Sequence, residues 1–220
     1  MLDALQKHLA DIYQADCGYR VSDFLLTDRS VASGFSGQPL EPGVEETVLV
    51  TEDDNGMAVS VFLDQDLLAR LAGESPLHRL DVGQLRDLAV VIEGVSHFNY
   101  LAWSAAQDKS VTLLELELQA EIDKFVATML IALEQDELEF ARKLHQWLFD
   151  EVRYQPSLDR DQQERYEMAN DYAGRFCHRL LDRIGNDPEM RELRSFYRLT
   201  QAEKISHIHA TAWAGGSSQD

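Results

Sequence analysis

Four side chains between residues 93 and 104 have the types and the spacing to do chemistry together: Glu93, His97, Tyr100 and Ser104, each three or four residues from the next. On a helix that spacing puts them on one face. A carboxylate and an imidazole so placed can share a metal ion or act as an oriented acid–base pair. A second Glu-x-x-x-His pair, Glu203 and His207, stands near the end of the chain. Two helices that each bring Glu and His inward would resemble the carboxylate-rich metal sites of helical bundles. Glu93, His97, Glu203 and His207 would then hold a divalent metal ion, with Glu117 or Glu121 nearby and Tyr100 orienting substrate or water. The reaction expected of such a centre is metal-dependent hydrolysis.

A plainer reading competes with that one and outweighs it. The Glu-x-x-His signature of di-iron bundles is absent, and seven histidines among many glutamates produce such pairs by chance. Glu203 also stands three residues after Thr200, which makes it the return arm of a capping box. His207 and His209 look like a ligand pair, but on a helix their rings point about 200° apart. His145 and His178 border apolar faces and read as hydrogen-bonded partners. No glycine-rich phosphate loop, Gly-x-Ser-x-Gly elbow or Cys/His nucleophile context occurs. Leu199-Thr-Gln-Ala-Glu203 resembles the start of a helix-turn-helix, but too little chain follows for a recognition helix. Cofactors are therefore expected to be none, with the divalent ion as the alternative.

The charge balance narrows the partners. Twenty basic against 39 acidic residues give −19 over 220 residues, which argues against nucleic acid and anionic membrane as partners. From Glu41 to Asp66 there are eight carboxylates and no Lys or Arg, read as a solvated acidic surface suited to a basic protein partner. Cys17 and Cys177 are too few for a disulfide scaffold or a zinc site. No apolar run of about 18 residues and no signal-peptide pattern is present, so a cytoplasmic location is expected.

The elements that must position these residues follow from periodicity. Leu2, Leu5, Leu9 and Ile12 predict a short amphipathic helix over 2–15. Tyr19–Thr27 reads as a strand and Ser30–Gly43 as a loop. Thr47–Thr51 and Met57–Leu63 form a hairpin through Asp53-Asp54-Asn55-Gly56, and Asp64 caps a short helix. Gly73-Glu74-Ser75-Pro76 breaks the pattern, with a boundary near residue 78. Beyond it all is helical. Asp81 with Gln84 opens a helix to about Gln107. Thr112–Leu133 is a central helix apolar on two sides, with Glu117, Lys124 and Thr128 on one flank and Gln119 and Asp123 on the other left for water. Glu115, inside its main apolar face, is read as the capping-box partner of Thr112. Asp136 with Glu139 starts the next helix, which Gln155-Pro156-Ser157 ends. A long helix, Leu158–Ile184, stops at Gly185. Asp187 and Thr200 open the last two, and 214–220 is read as a disordered tail.

The runs EGVSHFNYLAW, from Glu93 to Trp103, and LELELQAEIDKF, from Leu114 to Phe125, resemble a bacterial protein family to which no function is attached. That resemblance implies a bacterial origin and nothing about activity. The α-β-β-β-α order up to residue 78, with the strong acidity, is similar to small secretion chaperones of bacteria, an analogy of element order alone. The fold class expected is α+β: a small N-terminal α-β-β-β-α unit with an antiparallel sheet over 1–78, then a helical bundle over 79–213. The function expected is a non-enzymatic, protein-binding adaptor, regulatory subunit or chaperone-like protein.

Overall fold

Leu5, Leu9 and Ile12 are buried along one side of helix α1 (Leu2–Tyr13), as their spacing predicts. The structure, a computed structural model, describes residues 1–53, 56–73, 75–152, 158–181 and 183–215. The chain is α+β, and its contacts part it into two compact units, Met1–Lys109 and Ser110–Asp220.

In the N-terminal unit, α1 is followed by a 3-10 turn (Val21–Phe24), strand β1 (Leu25–Leu26), helix α2 (Arg29–Ser36), strands β2 (Glu46–Asp53) and β3 (Gly56–Leu63), and helix α3 (Gln65–Arg70). A second 3-10 turn (Val82–Gln84) leads into helix α4 (Leu85–Ala106). The sheet order is β1-β3-β2. β2 and β3 are antiparallel from Glu46↔Leu63 to Asp53↔Gly56, and the turn residues Asp54 and Asn55 lie outside the described residues.

The sheet is mixed, not antiparallel throughout, since β1 runs parallel to β3. The reason is α2, which occupies part of the expected loop Ser30–Gly43. It takes the chain from the end of β1 to the far side of β3, so β2 lies antiparallel to both, and β1 pairs with β3 instead of β2. Asp28 caps it by accepting the Ser30 and Val31 N–H groups, and Gly37 closes it at φ 70°, a left-handed position that suits glycine. Phe62, Leu49 and Ala32 pack together on the α2 side of the sheet. Val59, Val61 and Leu63 point the other way, and Gly94 of α4 lies against Val61 and Leu63.

The boundary read near residue 78 falls inside this unit. The units part at Lys109–Ser110, because α4 packs on β2, β3 and α1. Asp81 accepts from Gly83 N–H, while Gln84 donates to the Arg70 carbonyl, so α4 starts after a 3-10 turn.

The C-terminal unit holds α5 (Leu113–Glu134), α6 (Leu138–Phe149), α7 (Arg160–His178), α8 (Asp187–Tyr197) and α9 (Gln201–Gly215). Thr112 caps α5 by accepting the Glu115 N–H. The flanks expected to face water are largely buried: Glu117, Gln119, Asp123 and Thr128 are all under 9% exposed. α6 and α7 pack directly on α5. The helix end read at Gln155–Ser157 lies outside the described residues, as does the expected tail from residue 216, while 214 and 215 belong to α9. Asp159 and Gln162 form the capping box of α7. Among the described residues no helix is long and apolar enough to cross a membrane.

Candidate functional site

Gly94 lies mid-helix in α4, where glycine is costly to helix stability. Its use is proximity. A Cβ there would stand 3.0 Å from Glu46 Cγ, 3.0 Å from Leu63 Cδ2 and 3.2 Å from Val61 Cγ1. The helix therefore sits closer to the sheet than a side chain would permit. One turn further on, His97 Nδ1 lies 3.1 Å from Glu46 Oε1, with the two side chains only 5% and 10% exposed.

Glu46 is the first residue of β2 and stands opposite Leu63. Strand alternation sets it with Val48 and Val50 on the face that meets α4. Its carboxylate orients the imidazole and, when the ring is protonated, forms an ion pair with it. Glu93, one turn before His97, brings a carboxylate oxygen within 4.8 Å of a ring nitrogen.

The other residues of that face have separate roles. Tyr100 is fully buried, and its hydroxyl accepts from Lys109 Nζ at 2.8 Å, with the ammonium 4.8 Å from the ring centroid. Such a cation–ring contact stabilises both. Ser104 is buried, and its Oγ has no hydrogen-bond partner among the described residues.

The second pair belongs to the C-terminal unit. Glu203 Oε2 accepts from the Thr200 N–H at 2.9 Å and from the Thr200 hydroxyl at 2.8 Å, the capping contact read from the sequence. His207 Nε2 lies 2.7 Å from Glu192 Oε1, which also accepts from Arg179. Burial, the largest influence on the Glu192 carboxyl, pushes its pKa up. The bonds from Arg179 and His207 together outweigh it and hold the group below the ordinary carboxylate range. Glu203 and His207 thus share a helix but serve different partners, and the two Glu/His pairs fall in different units. Glu117 has Arg165 Nε at 4.0 Å, and Glu121 accepts from Lys124 at 2.7 Å. His145 Nε2 is 2.9 Å from the Gly174 carbonyl, as expected of a hydrogen-bonded core histidine, and its ring meets that of His178 edge-on at 5.4 Å.

Sequence reasoning missed Glu46 as the partner of His97, because the two are 51 positions apart. A carboxylate set beside Val48 and Val50 on one strand face, and a glycine inside an apolar helix, were the available signals. It also missed that part of the acidic stretch is internally paired. Glu45 binds Arg70 at 2.6 Å and Arg86 at 2.9 Å, and Asp64 binds Arg29 at 3.0 Å.

Comparison with protein-family models, with curated proteins and with solved structures returned no match. This agrees with the resemblance to a family that carries no attached function.

Proposed function

We propose that the chain is a protein-binding adaptor that engages an extended, basic segment of a partner along the free edge of β2. The observation that carries this is the sheet order, which leaves β2, eight residues long, at an edge. Asp64 N–H donates to the Glu45 carbonyl at 2.9 Å. In an antiparallel ladder the inward-pairing residues alternate, so Glu45, Thr47 and Leu49 turn toward β3, and Val48 and Val50 present N–H and C=O outward. The outward Val44 carbonyl is bonded by Arg29, whereas Val50 is 47% exposed. Such an edge accepts an added strand. The stretch from Glu41 to Asp66, with eight carboxylates and no Lys or Arg, favours lysine and arginine in the added strand.

The Val50 N–H points away from β3, so proline there leaves the hairpin ladder intact and removes an edge donor. Native mass spectrometry of the untagged protein from its own cells should find a stoichiometric protein partner. Val50→Pro should lose that partner with its circular dichroism unchanged. Absence of any protein partner, with a metal-ion mass that disappears in His97→Ala, would overturn the proposal. That result would favour the second reading, metal-dependent hydrolysis, whose support is the Glu93–His97 pair on one face of α4.

A further inference from the structure

A cleft of about 750 Å³ opens in the N-terminal unit, within the size range of small-molecule sites. Gln6 of α1, Cys17 and Asn99 of α4 are the buried polar part of its lining. They form a chain of hydrogen bonds whose direction is forced. The Val21 N–H donates to Gln6 Oε1 at 2.8 Å, and Gln6 Nε2 donates to the Tyr19 carbonyl at 2.8 Å and to Asn99 Oδ1 at 3.0 Å. A main-chain N–H only donates and a carbonyl only accepts, so the Gln6 amide cannot be turned over. Gln6 therefore shows Asn99 a donor, and Asn99 must answer with its oxygen. The Asn99 Nδ2 group is left over. It is buried, and it has no hydrogen-bond partner among the described residues, in a side chain whose residue is 5% exposed. A buried amide donor without an acceptor is costly.

We propose that this cleft binds a small amine-bearing carboxamide whose carbonyl oxygen accepts the Asn99 Nδ2 hydrogens. The inner end must be an acceptor, because the group left over is a donor. It is neutral, because the cations of the lining are engaged at the mouth: Lys7 binds Asp11 at 2.6 Å, and Arg20 binds Asp3 at 2.7 Å. A carboxylate facing amide groups alone would be desolvated without a counter-charge. The outer end carries the amine, because Asp3, Asp11 and Asp16 outnumber Lys7 and Arg20 around the opening. The Asp3 carboxyl stays charged there. Burial, its largest influence, raises its pKa, but the bonds from Ser22 and Arg20 outweigh it and hold the group low. The Cys17 thiol and Asn99 line the same cleft. The thiol accepts from Gln6 Nε2 at 3.5 Å and donates toward the Tyr19 carbonyl at 3.4 Å and Asn99 Oδ1 at 3.7 Å; these contacts are the longest of the set and yield by a turn of one side-chain bond.

The probe is glycinamide, with propionate as the anionic control, titrated into the ¹⁵N-labelled full chain. Glycinamide should shift the Asn99 side-chain amide resonances saturably, and propionate should not. Asn99→Asp keeps the oxygen that Gln6 needs and removes both donors, so glycinamide affinity should fall at least tenfold. Should Asn99→Asp unfold, Ala10→Phe keeps the question answerable. It fills the cleft from the half-buried side of α1 without touching the hydrogen-bond chain, and it should abolish the shift. No saturable shift with glycinamide, propionate binding as tightly as glycinamide, or a glycinamide shift that survives Ala10→Phe would each overturn the proposal.

Discussion

Both units bury a glutamine in a chain of hydrogen bonds, and the two chains end differently. In the C-terminal unit Lys204, 0% exposed, donates to Gln119 Oε1 at 2.7 Å, and Gln119 Nε2 donates to Asp123 Oδ1 at 2.7 Å. A cation closes one end and a carboxylate the other, with the Phe196 ring centroid 5.3 Å from the ammonium. In the N-terminal unit the chain begins at a main-chain N–H and ends on the Asn99 amide, which still holds donors. The first chain neutralises itself and fastens α9 to α5. The second is electrically neutral throughout and ends beside a cleft. A buried polar chain that closes is a fastening; one that stops on a donor is a place for an acceptor.

Breaking the closed chain should have the largest effect. Lys204→Ala leaves Asp123 inside, 2% exposed, without the cation at the far end of its chain. A loss of about 3–5 kcal/mol is expected, read by urea unfolding followed through Trp147 of α6. Replacing Lys204, Gln119 and Asp123 together by apolar residues of similar volume should recover most of it. If Lys204→Ala cost no more than a surface substitution, the closed chain would not be a fastening.

Gly94→Ala comes next. The added methyl meets Glu46, Leu63 and Val61 at 3.0–3.2 Å, and overpacking of this kind costs about 1–3 kcal/mol. The His97 ring resonances should move with it, because the approach that Gly94 permits is what brings the ring to Glu46. A stability change without a His97 shift would separate the packing from the carboxylate–imidazole contact.

The parts legible in the sequence were those written locally. The helices over Leu2–Tyr13, Leu85–Ala106 and Leu113–Glu134 follow from apolar spacing, the last also from its Thr112 cap, and the β2–β3 hairpin from its turn residues and branched strands. α2 was hidden because its stripe of Val31, Ala32 and Phe35 sits in only eight residues and is interleaved with Gly34 and three serines that read as a loop, and its Asp28 cap is a single short-range signal. With α2 unseen, nothing moved β1 from the side of its sequence neighbour β2 to the far side of β3, where it pairs in parallel. Burial of Gln119 and Asp123 was illegible for a different reason. Nothing on α5 announces that Lys204, 85 positions away, will supply the cation. The Glu93–His97 spacing was legible, but Glu46 and the Gln6–Asn99 chain depend on tertiary approach and leave no pattern at any period.

The smallest expected effect compares the two surfaces instead of the two interiors. In the N-terminal unit Arg70 donates to Asp87 at 2.7 Å, and this bond, the largest influence, outweighs burial to hold the Asp87 carboxyl below the ordinary carboxylate range. Asp64 is lowered as well, first by the Asp66 N–H and then by Arg29, against burial. In the C-terminal unit Glu192 is a lowered carboxyl. A carboxyl whose folded pKa lies below its unfolded value contributes stability in full above the unfolded value, and loses it as pH falls through the folded one. Both units should therefore weaken on acidification below about pH 4. Asp87→Asn should flatten that limb for the N-terminal unit alone, and Glu192→Gln for the C-terminal unit alone, followed by backbone amide NMR from about pH 6 to about pH 2. The Arg70 side chain is 42% exposed, so salt should shrink the N-terminal effect. If Asp87→Asn left the N-terminal limb where it was, the Arg70 bridge would be a surface pair of no weight. The acid response of that unit would then rest on Asp64 and Asp3, whose carboxylates each also accept a main-chain N–H that salt does not screen away.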